Sequence, residues 1–250
     1  MSSSYLKSKR IKRSAAARIR PFWIMIALAG VLSVAAGAFL AMWSGFDARQ
    51  VAVSGNRRVP SSEILRAADI PQNRSIWLDD TKAIAARIRA IPLVGTVSIR
   101  RLPPASFTIA VTERVPFATV TSGGQTVVVD RALRVLSPAT GNEQLPSFVL
   151  SLHRSLAPGT FVSTRDALVL RDVYTTMVSN GMTPTALTLD RYGDAIASIS
   201  GGPRLLLGEP NDLGRKVRLI NAILTQVVRR QLSVSAVDVR APATPVVVYR

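Results

Sequence analysis

The longest apolar stretch of the chain runs from Pro21 to Phe46 and contains no charged residue. Trp23 and Trp43 bracket 21 residues of it. As a helix, such a segment is roughly 31 Å long, which matches a hydrocarbon core about 30 Å thick. Tryptophan at both ends is typical of interfacial anchoring, because the ring is apolar while its N–H prefers headgroup water. The pattern predicts one transmembrane helix over residues 21–45.

The segment before the span predicts its orientation. Residues 1–20 carry seven lysines and arginines and no acid. Positive flanks stay in the cytoplasm, so residues 1–20 are expected to form a cytoplasmic basic tail and the rest of the chain to lie outside. The alternative is a cleaved signal peptide, with a small-x-small site at residues 36–38. The apolar stretch exceeds the usual ~7–15-residue signal core, which favours an uncleaved anchor.

Beyond the span, residues 46–115 show the pattern of a small α+β domain in the order strand, helix, helix, strand, strand. Val51 and Val53 alternate with smaller residues, as in a half-buried strand. Ser61 is predicted to N-cap the first helix, since Glu63 follows in its first turn. The apolar positions that predict the second helix and the last two strands are Ile84, Ile88 and Ile91, then Val97 and Ile99, then Phe107, Ile109 and Val111.

Residues 116–250 predict a second, β-rich α+β domain. Two strands form a hairpin around Asp130, and a helix covers residues 164–180. A further hairpin turns at residues 191–194, and a long helix runs over residues 213–230. Five basic residues lie largely off the apolar stripe of that helix and are expected to form a solvated face: Arg215, Lys216, Arg218, Arg229 and Arg230.

The chain closes with the apolar segment "VVVYR", which is predicted to be an edge strand. Pro245 stands just before it, and proline suits the start of an edge strand because it lacks an N–H. An open edge can accept a strand from another chain through backbone hydrogen bonds. The alternative is that these valines only fill the core and that the edge is covered.

Composition narrows the chemistry. The formal net charge is +17, there is no cysteine, and His153 is the single histidine. A zinc site or a Ser-His-Asp triad would depend on His153, which we predict to be an ordinary loop or surface residue. Phosphate-binding glycine loops, His-Glu-x-x-His and Gly-x-Ser-x-Gly motifs are absent from the sequence. The expectation is a binding protein without catalysis, cofactor, metal, nucleic-acid partner or small-molecule substrate.

Several segments carry a resemblance to a known family. "VAVSGNRRVPSSEIL" and "VGTVSIRRLPPASFTIAVTERVPFATV" resemble a POTRA domain, and more narrowly that of the bacterial FtsQ (DivIB) cell division family. The marks are the Val-x-Gly-Asn entry, the Arg-x-x-Pro turn from Arg101 to Pro104, and "TERVPFA". "RLLLGEPNDLGRKVRLINAIL" and "VDVRAPATPVVVYR" resemble the closing part of that family, so the likeness covers about residues 5–250. The chain departs from it at Ala132 and Leu133, where the family has an Asp-x-x-Gly turn.

The resemblance implies a single-pass scaffold of the inner membrane at the division septum, with a cytoplasmic N-terminus and two periplasmic domains. It implies that the FtsB–FtsL complex docks by strand addition, that the scaffold links early and late division proteins, and that it helps to control septal peptidoglycan synthesis. The partner-binding residues it implies are Arg191, Arg240, Val246, Val247, Val248 and Tyr249.

In that picture, Arg240 pairs with an acidic residue of the partner, and Arg191 is a weaker match to the family. The alternative for Arg240 is a solvated surface arginine. Ala241 stands where some relatives have an aromatic residue, so the local pocket is expected to differ.

Other functional classes stay open on sequence alone. A POTRA protein of outer-membrane protein assembly or secretion would need barrel strands or several POTRA repeats. A secreted basic protein that binds the cell wall would need cleavage after the apolar stretch. A wall hydrolase would need paired carboxylates, which sequence cannot exclude.

Overall fold

The computed structural model of the protein describes residues 16–41, 43–72, 74–152 and 155–250. Most of the predicted cytoplasmic tail, residues 1–15, and the single histidine, His153, lie outside the described residues.

The first helix, α1, covers Ala16–Ala41. Over Phe22–Phe39 it is long and apolar enough to cross a membrane, and its side chains there are exposed on all sides. A helix that is apolar all round, and that is not buried against any of the described residues, finds a suitable solvent in hydrocarbon. α1 therefore fits a single-pass membrane anchor, as the sequence predicts.

The elements after α1 confirm the predicted order of strand, helix, helix, strand, strand. They are a 3-10 turn at Ser44–Phe46, then β1 (Gln50–Ser54), α2 (Ser61–Ala68), α3 (Thr81–Arg89), β2 (Val94–Leu102) and β3 (Ser106–Glu113). The three strands form one sheet in the order β1-β3-β2.

Two local predictions in this region are wrong. Ser61 is the first residue of α2 rather than its cap: the N-cap is Pro60, in an extended conformation and without a side-chain hydrogen bond to the helix. The Ser61 hydroxyl is instead 3.1 Å from Nδ2 of Asn56. α3 ends at Arg89, so Ile91 lies beyond the helix whose stripe it was expected to complete. Pro92 restricts the residue before it to extended conformations, which ends the helix early.

The remaining elements form a mixed sheet of nine strands with two helices. They are β4 (Pro116–Ser122), β5 (Gln125–Asp130), β6 (Val135–Pro138), β7 (Ser147–Val149), α4 (Arg165–Ser179), β8 (Ala186–Leu189), β9 (Ala195–Ser198), β10 (Arg204–Gly208), α5 (Leu213–Arg229), β11 (Val234–Asp238) and β12 (Val246–Tyr249). The strand order is β12-β11-β10-β9-β8-β7-β4-β5-β6. This α+β architecture is the predicted fold class.

Both helices of this region connect neighbouring parallel strands. β7 and β8 are parallel and α4 lies between them in sequence, while β10 and β11 are parallel and α5 lies between them. A parallel pair needs such a crossover, because a tight turn can only reverse the chain. The other pairs are antiparallel, apart from β4 with β7.

The core of the nine-stranded sheet lies against the apolar sides of α4 and α5. Thr164 caps α4 by accepting a hydrogen bond from the backbone N–H of Ala167. Phe117 on β4, Phe148 on β7 and Tyr174 on α4 pack edge to face with one another. The buried helix residues are Ala167, Leu170, Val173, Met177, Val217 and Ile220. Both helices therefore pack against the sheet through the apolar stripe that the sequence predicts for them.

The prediction of a solvated basic face on α5 is wrong at Lys216. Lys216 is only 2% exposed. Its Nζ donates to the backbone oxygen of Glu209 at 2.8 Å and to Oδ1 of Asn211 at 2.9 Å. A buried ammonium is tolerated when it is hydrogen-bonded, and the long apolar stem of lysine lets it reach such partners. Arg215 and Arg218 are exposed, as expected.

Compact packing divides the chain into two units. The first comprises residues up to 52 together with 70–81 and 99–108, and the second comprises 53–69, 82–98 and 109–250. The core of the first unit is small and centres on Ala48, Ile76 and Phe107. The second unit contains the whole nine-stranded sheet and its core.

Candidate partner-binding edge

β12 is the terminal strand of the nine-stranded sheet. Among the described residues its only strand neighbour is β11, with which it pairs antiparallel. Val247 is half-buried and packs against the sheet core, while the other three residues of the strand are exposed. Tyr249, for example, is 58% exposed. The strand is thus held on one side and open on the other.

The backbone of β12 presents specific groups to the open side. The carbonyl of Val248 accepts a hydrogen bond from the Ser235 hydroxyl at 3.1 Å, and the N–H of Arg250 donates to the carbonyl of Ser233 at 2.9 Å. Both contacts point towards β11. Because alternate residues of a strand direct their backbone groups to opposite sides, those of Val247 and Tyr249 face away from the sheet.

The opposite end of the sheet is covered. The N–H of Val135 on β6 donates to Thr160, and the carbonyl of Val135 accepts from Gly159, both at 2.8 Å. The N–H of Val162 donates to Leu133 at 2.8 Å, so residues 159–162 run along this edge. Natural sheets cover edges in this way to prevent unwanted pairing. The contrast makes β12 the accessible end of this sheet.

Arg240 follows β11 and is held by an acid two residues before it. Its Nη2 donates to Oδ2 of Asp238 at 2.6 Å, and its Nε lies 3.1 and 3.0 Å from the two carboxylate oxygens. The hydrogen bond from Arg240 is the main reason that the pKa of Asp238 lies below its usual value. The hydrogen bond to Asp238 raises the pKa of Arg240, and the fields of Asp194 and Asp190 add to that increase.

Gly208 makes room for the stem of Arg240 at the end of β10. A Cβ at Gly208 would lie 2.8 Å from Cγ and 3.2 Å from Cα of Arg240. Gly208 also has φ +71°, a left-handed conformation that residues with a side chain adopt only at a cost. Both observations require glycine here.

Arg191 lies on the β8–β9 hairpin, whose turn is fixed by Asp190. Oδ1 of Asp190 accepts the backbone N–H groups of Tyr192 at 2.8 Å and of Asp194 at 3.0 Å. The Arg191 guanidinium stacks 4.8 Å above the exposed Tyr192 ring. The charges of Asp190 and Asp194 act on Arg240, so this hairpin lies near Arg240. Arg240 in turn follows Asp238, which pairs with Val246, the first residue of β12.

Sequence reasoning missed three residues of this region. Asp238 was not assigned as the partner of Arg240, although their two-residue spacing in "VDVR" is a usable signal. Gly208 and the Asp190 turn were not connected with Arg240, because that proximity depends on strand order.

A cavity of about 340 Å³ lies beside the β8–β9 hairpin. Its lining includes Arg165, Leu189, Tyr192, Glu209 and Asn211.

The described residues contain no group of three or more histidine, cysteine, aspartate or glutamate side chains that could hold a metal ion.

Comparisons with known proteins agree with the geometry of the chain. The family "POTRA domain, FtsQ-type" matches residues 46–114. "Cell division protein FtsQ" of Mycolicibacterium smegmatis is 38% identical over 90 residues, which are 36% of this chain and only 27% of that protein.

Two longer matches extend the likeness over most of the chain. The FtsQ proteins of Streptomyces venezuelae and Streptomyces coelicolor are 26% and 27% identical over 223 and 227 residues. Each match covers 86% of this chain, with 80% and 84% of the relative's length. Residues 46–114 thus match a POTRA domain of the FtsQ type, and the chain is similar to FtsQ proteins over most of its length.

Proposed function

We propose that the protein is a membrane-anchored cell division scaffold that docks the FtsB–FtsL complex on β12 and thereby helps to control septal peptidoglycan synthesis. A cell division role is supported by the FtsQ relatives and the FtsQ-type POTRA domain. The observation that carries the docking site is the open outer side of β12, at the end of a sheet whose other end is covered.

In this proposal the partner contributes an extended strand that pairs with the outward backbone groups of Val247 and Tyr249. Backbone hydrogen bonds supply affinity, while the exposed side chains of Val246, Val248 and Tyr249 select the partner. β-Addition suits an edge that has exposed apolar side chains and a core-packed residue, Val247, to keep it in place.

Arg240 and Arg191 extend the proposed site at the end of β12. The hydrogen bonds to Asp238 use Nε and Nη2 of Arg240, so Nη1 supplies the donors for an acidic partner residue. Asp238 holds the guanidinium in position, which lowers the conformational entropy that binding has to overcome. Replacing Arg240 with glutamate is expected to weaken docking while the fold stays intact.

The test compares two substitutions of the same residue in the full-length chain. Tyr249→Pro removes the outward N–H, while Tyr249→Ala keeps it and removes the side chain. Tyr249→Pro is expected to weaken binding of purified FtsB–FtsL about tenfold, or about 1.4 kcal/mol, because one hydrogen bond is lost and the proline ring obstructs the added strand. Tyr249→Ala is expected to weaken it less.

Circular dichroism and thermal unfolding provide the folding control, since both variants leave the contacts with β11 in place. Undiminished binding by a folded Tyr249→Pro protein would contradict strand addition at β12. Val248→Pro is the matched comparison, because the backbone of Val248 faces β11 and its loss is expected to reduce stability as well as binding.

The proposal places the N-terminus in the cytoplasm and both outer regions in the periplasm, at the septum. The basic residues before α1 support this orientation. The chain has no cysteine, so a single Tyr192→Cys substitution at an exposed position creates a unique label site. Labelling of intact cells by a maleimide that cannot cross the inner membrane is expected; labelling only after lysis would contradict the orientation.

We propose that the protein has no catalytic activity of its own. The proposed role needs only an anchor and a docking surface, and the scaffold nature of the family supports it. Digestion assays with purified peptidoglycan are expected to show no release of fragments by the full-length chain.

A further inference from the structure

The first compact unit carries a cluster of exposed apolar side chains next to the end of α1. We call it the aromatic patch; it consists of Trp43, Phe46, Trp77 and Leu78. Trp43 is 57% exposed and Trp77 48% exposed, and only Phe46 is largely covered. Exposed apolar side chains that cluster in this way mark an interaction surface.

Backbone hydrogen bonds hold two parts of the patch together. The N–H of Ile76 donates to the carbonyl of Phe46 at 2.9 Å, and the N–H of Ala48 donates to the carbonyl of Arg74 at 3.1 Å. Asp47 and Ser75 form an isolated bridge between these bonds. The segment that leaves α1 is therefore joined directly to the loop that carries Trp77 and Leu78.

Arg101 on β2 holds the loop that carries Trp77 and Leu78. Its Nε donates to the carbonyl of Ile76 and its Nη2 to the carbonyl of Asp79, both at 2.6 Å. These bonds tie the end of β2 to this loop. The patch is thus formed in advance by the fold and does not depend on a partner for its shape.

Core packing does not account for the exposed rings. Ala48, Ile76 and Phe107 already fill the core of this unit, and Phe46 packs against them from the side. Trp77 and Leu78 follow Ile76 directly but remain at the surface. Their exposure costs free energy in water, so another environment has to provide the compensating contact.

We infer that the aromatic patch lies in the lipid interface of the leaflet at the C-terminal end of α1, so that the first unit rests on the membrane surface. Trp43 is only two residues beyond Ala41, the last residue of the spanning helix. The Trp43 and Phe46 rings are 5.9 Å apart, and the Phe46 and Trp77 rings 6.3 Å apart. Two ring contacts therefore connect the end of the span to Trp77.

The headgroup region is the environment that this composition fits. Tryptophan concentrates there because its ring is apolar while its N–H can still reach water. The interface begins where the hydrocarbon core ends, and α1 fixes that level at Trp43. The inference rests on α1 as a membrane anchor, and it does not depend on partner docking at β12.

The experiment uses the full-length chain with Trp77 as its only tryptophan, obtained by Trp23→Phe and Trp43→Phe, which keep aromatic rings at both positions. The protein is reconstituted into phosphatidylcholine vesicles whose acyl chains carry bromine near the headgroup. We expect Trp77 fluorescence to be shifted to shorter wavelength and quenched at least about twofold relative to vesicles without bromine. Bromine at the ends of the acyl chains is expected to quench it less.

A positive control and a water-soluble quencher show whether Trp77 lies in lipid, in water or against protein. A chain with Trp43 as its only tryptophan provides the positive control, because that residue follows the span directly. Strong quenching of Trp77 by acrylamide in the water phase, without quenching by brominated lipid, would overturn the inference. Protection from both quenchers would also overturn it, since the patch would then be covered by protein, such as a second copy of the chain.

Discussion

The Glu113 carboxylate binds the backbone N–H of Arg58 with both oxygens, at 2.8 and 3.0 Å, across more than fifty positions of sequence. The same carboxylate accepts the N–H groups of Arg57 at 2.6 Å and Val59 at 2.9 Å. It therefore ties the end of β3 to the loop between β1 and α2. Glu113 belongs to the "TERVPFA" segment, and this contact gives that segment a structural role.

Glu113 makes stability depend on pH. Burial of the carboxyl group opposes ionisation, but the hydrogen bonds from Val59, Arg57 and Arg58 outweigh it and hold the pKa of Glu113 below its usual value of 4.5. A pKa lowered by folding means that the carboxylate stabilises the protein fully above its unfolded pKa, and that this contribution is lost as pH falls through the folded pKa.

We expect Glu113→Gln to lower the free energy of unfolding by about 1 kcal/mol at neutral pH, since the group is largely solvated. The difference between variant and wild type is expected to shrink as pH falls from 4.5, the usual glutamate pKa, through the lower pKa of folded Glu113, because the wild-type carboxylate then becomes protonated. Chemical unfolding across this pH range measures it. Glu143→Gln is the control, because the described hydrogen-bond partners of Glu143 are Thr140 and Gly141 in its own loop; an equal loss in both variants would contradict the prediction.

Lys216 is expected to be a stabilising buried charge. Lys216→Met keeps the apolar stem but leaves the carbonyl of Glu209 and Oδ1 of Asn211 without the ammonium donor. We expect a loss of about 1–3 kcal/mol in the free energy of unfolding. Arg215→Met, one position earlier on the exposed side of α5, is expected to change it by less than about 0.5 kcal/mol. Similar values for the two variants would show that the buried hydrogen bonds are not important.

Leu133 occupies the fourth position of the turn that begins at Asp130, where the resemblance to the FtsQ family predicts glycine. Its φ is +61°, and its side chain is nevertheless buried in the sheet core. Leu133→Gly relieves a backbone cost of about 1–2 kcal/mol but removes a buried side chain worth about 2–5 kcal/mol. We therefore expect net destabilisation by about 1–3 kcal/mol in denaturant unfolding. Ala132→Gly in the same turn is the matched control; a stabilised Leu133→Gly protein would be the contrary result.

Gly208 and Arg240 are expected to be energetically coupled. Gly208→Ala forces a left-handed alanine and brings its Cβ within 2.8 Å of Cγ of Arg240. We expect a loss of about 1–2 kcal/mol, of which the part due to the clash with Cγ disappears when Arg240→Ala removes that atom. A double-mutant cycle of unfolding free energies measures the coupling. Strict additivity would mean that the conformation of Gly208 alone accounts for the loss.

Local patterns predicted the elements well, because strand alternation and helical stripes are properties of neighbouring residues. Val246–Tyr249 was identified as a strand, and α4 (Arg165–Ser179) lies within one residue of the helix predicted over residues 164–180. The errors at Ser61 and Ile91 are end effects, set by the proline that precedes or follows. The prediction of an exposed Lys216 was wrong for another reason. Its two hydrogen-bond acceptors lie in the loop before α5, and the periodicity of a helix does not indicate that a side chain reaches back to the preceding loop.

The candidate site could be predicted only in part. The edge character of the last strand follows from Pro245 and the valine run, but the strand order that exposes one side of β12 depends on which strands pair at long range. The link from Asp190 and Asp194 to Arg240 has the same origin. The aromatic patch was indicated in sequence only by Trp43, since tertiary hydrogen bonds bring the loop that carries Trp77 beside it.

The closed edge beside β6 limits what strand addition can build from the nine-stranded sheet. A sheet that is open at both ends can grow head to tail into filaments, whereas one with a single open end adds one strand and stops. Two copies could meet through this sheet only by pairing β12 with β12, which would exclude any other occupant. Self-pairing through β12 and the proposed docking of a partner strand would therefore compete for the same edge.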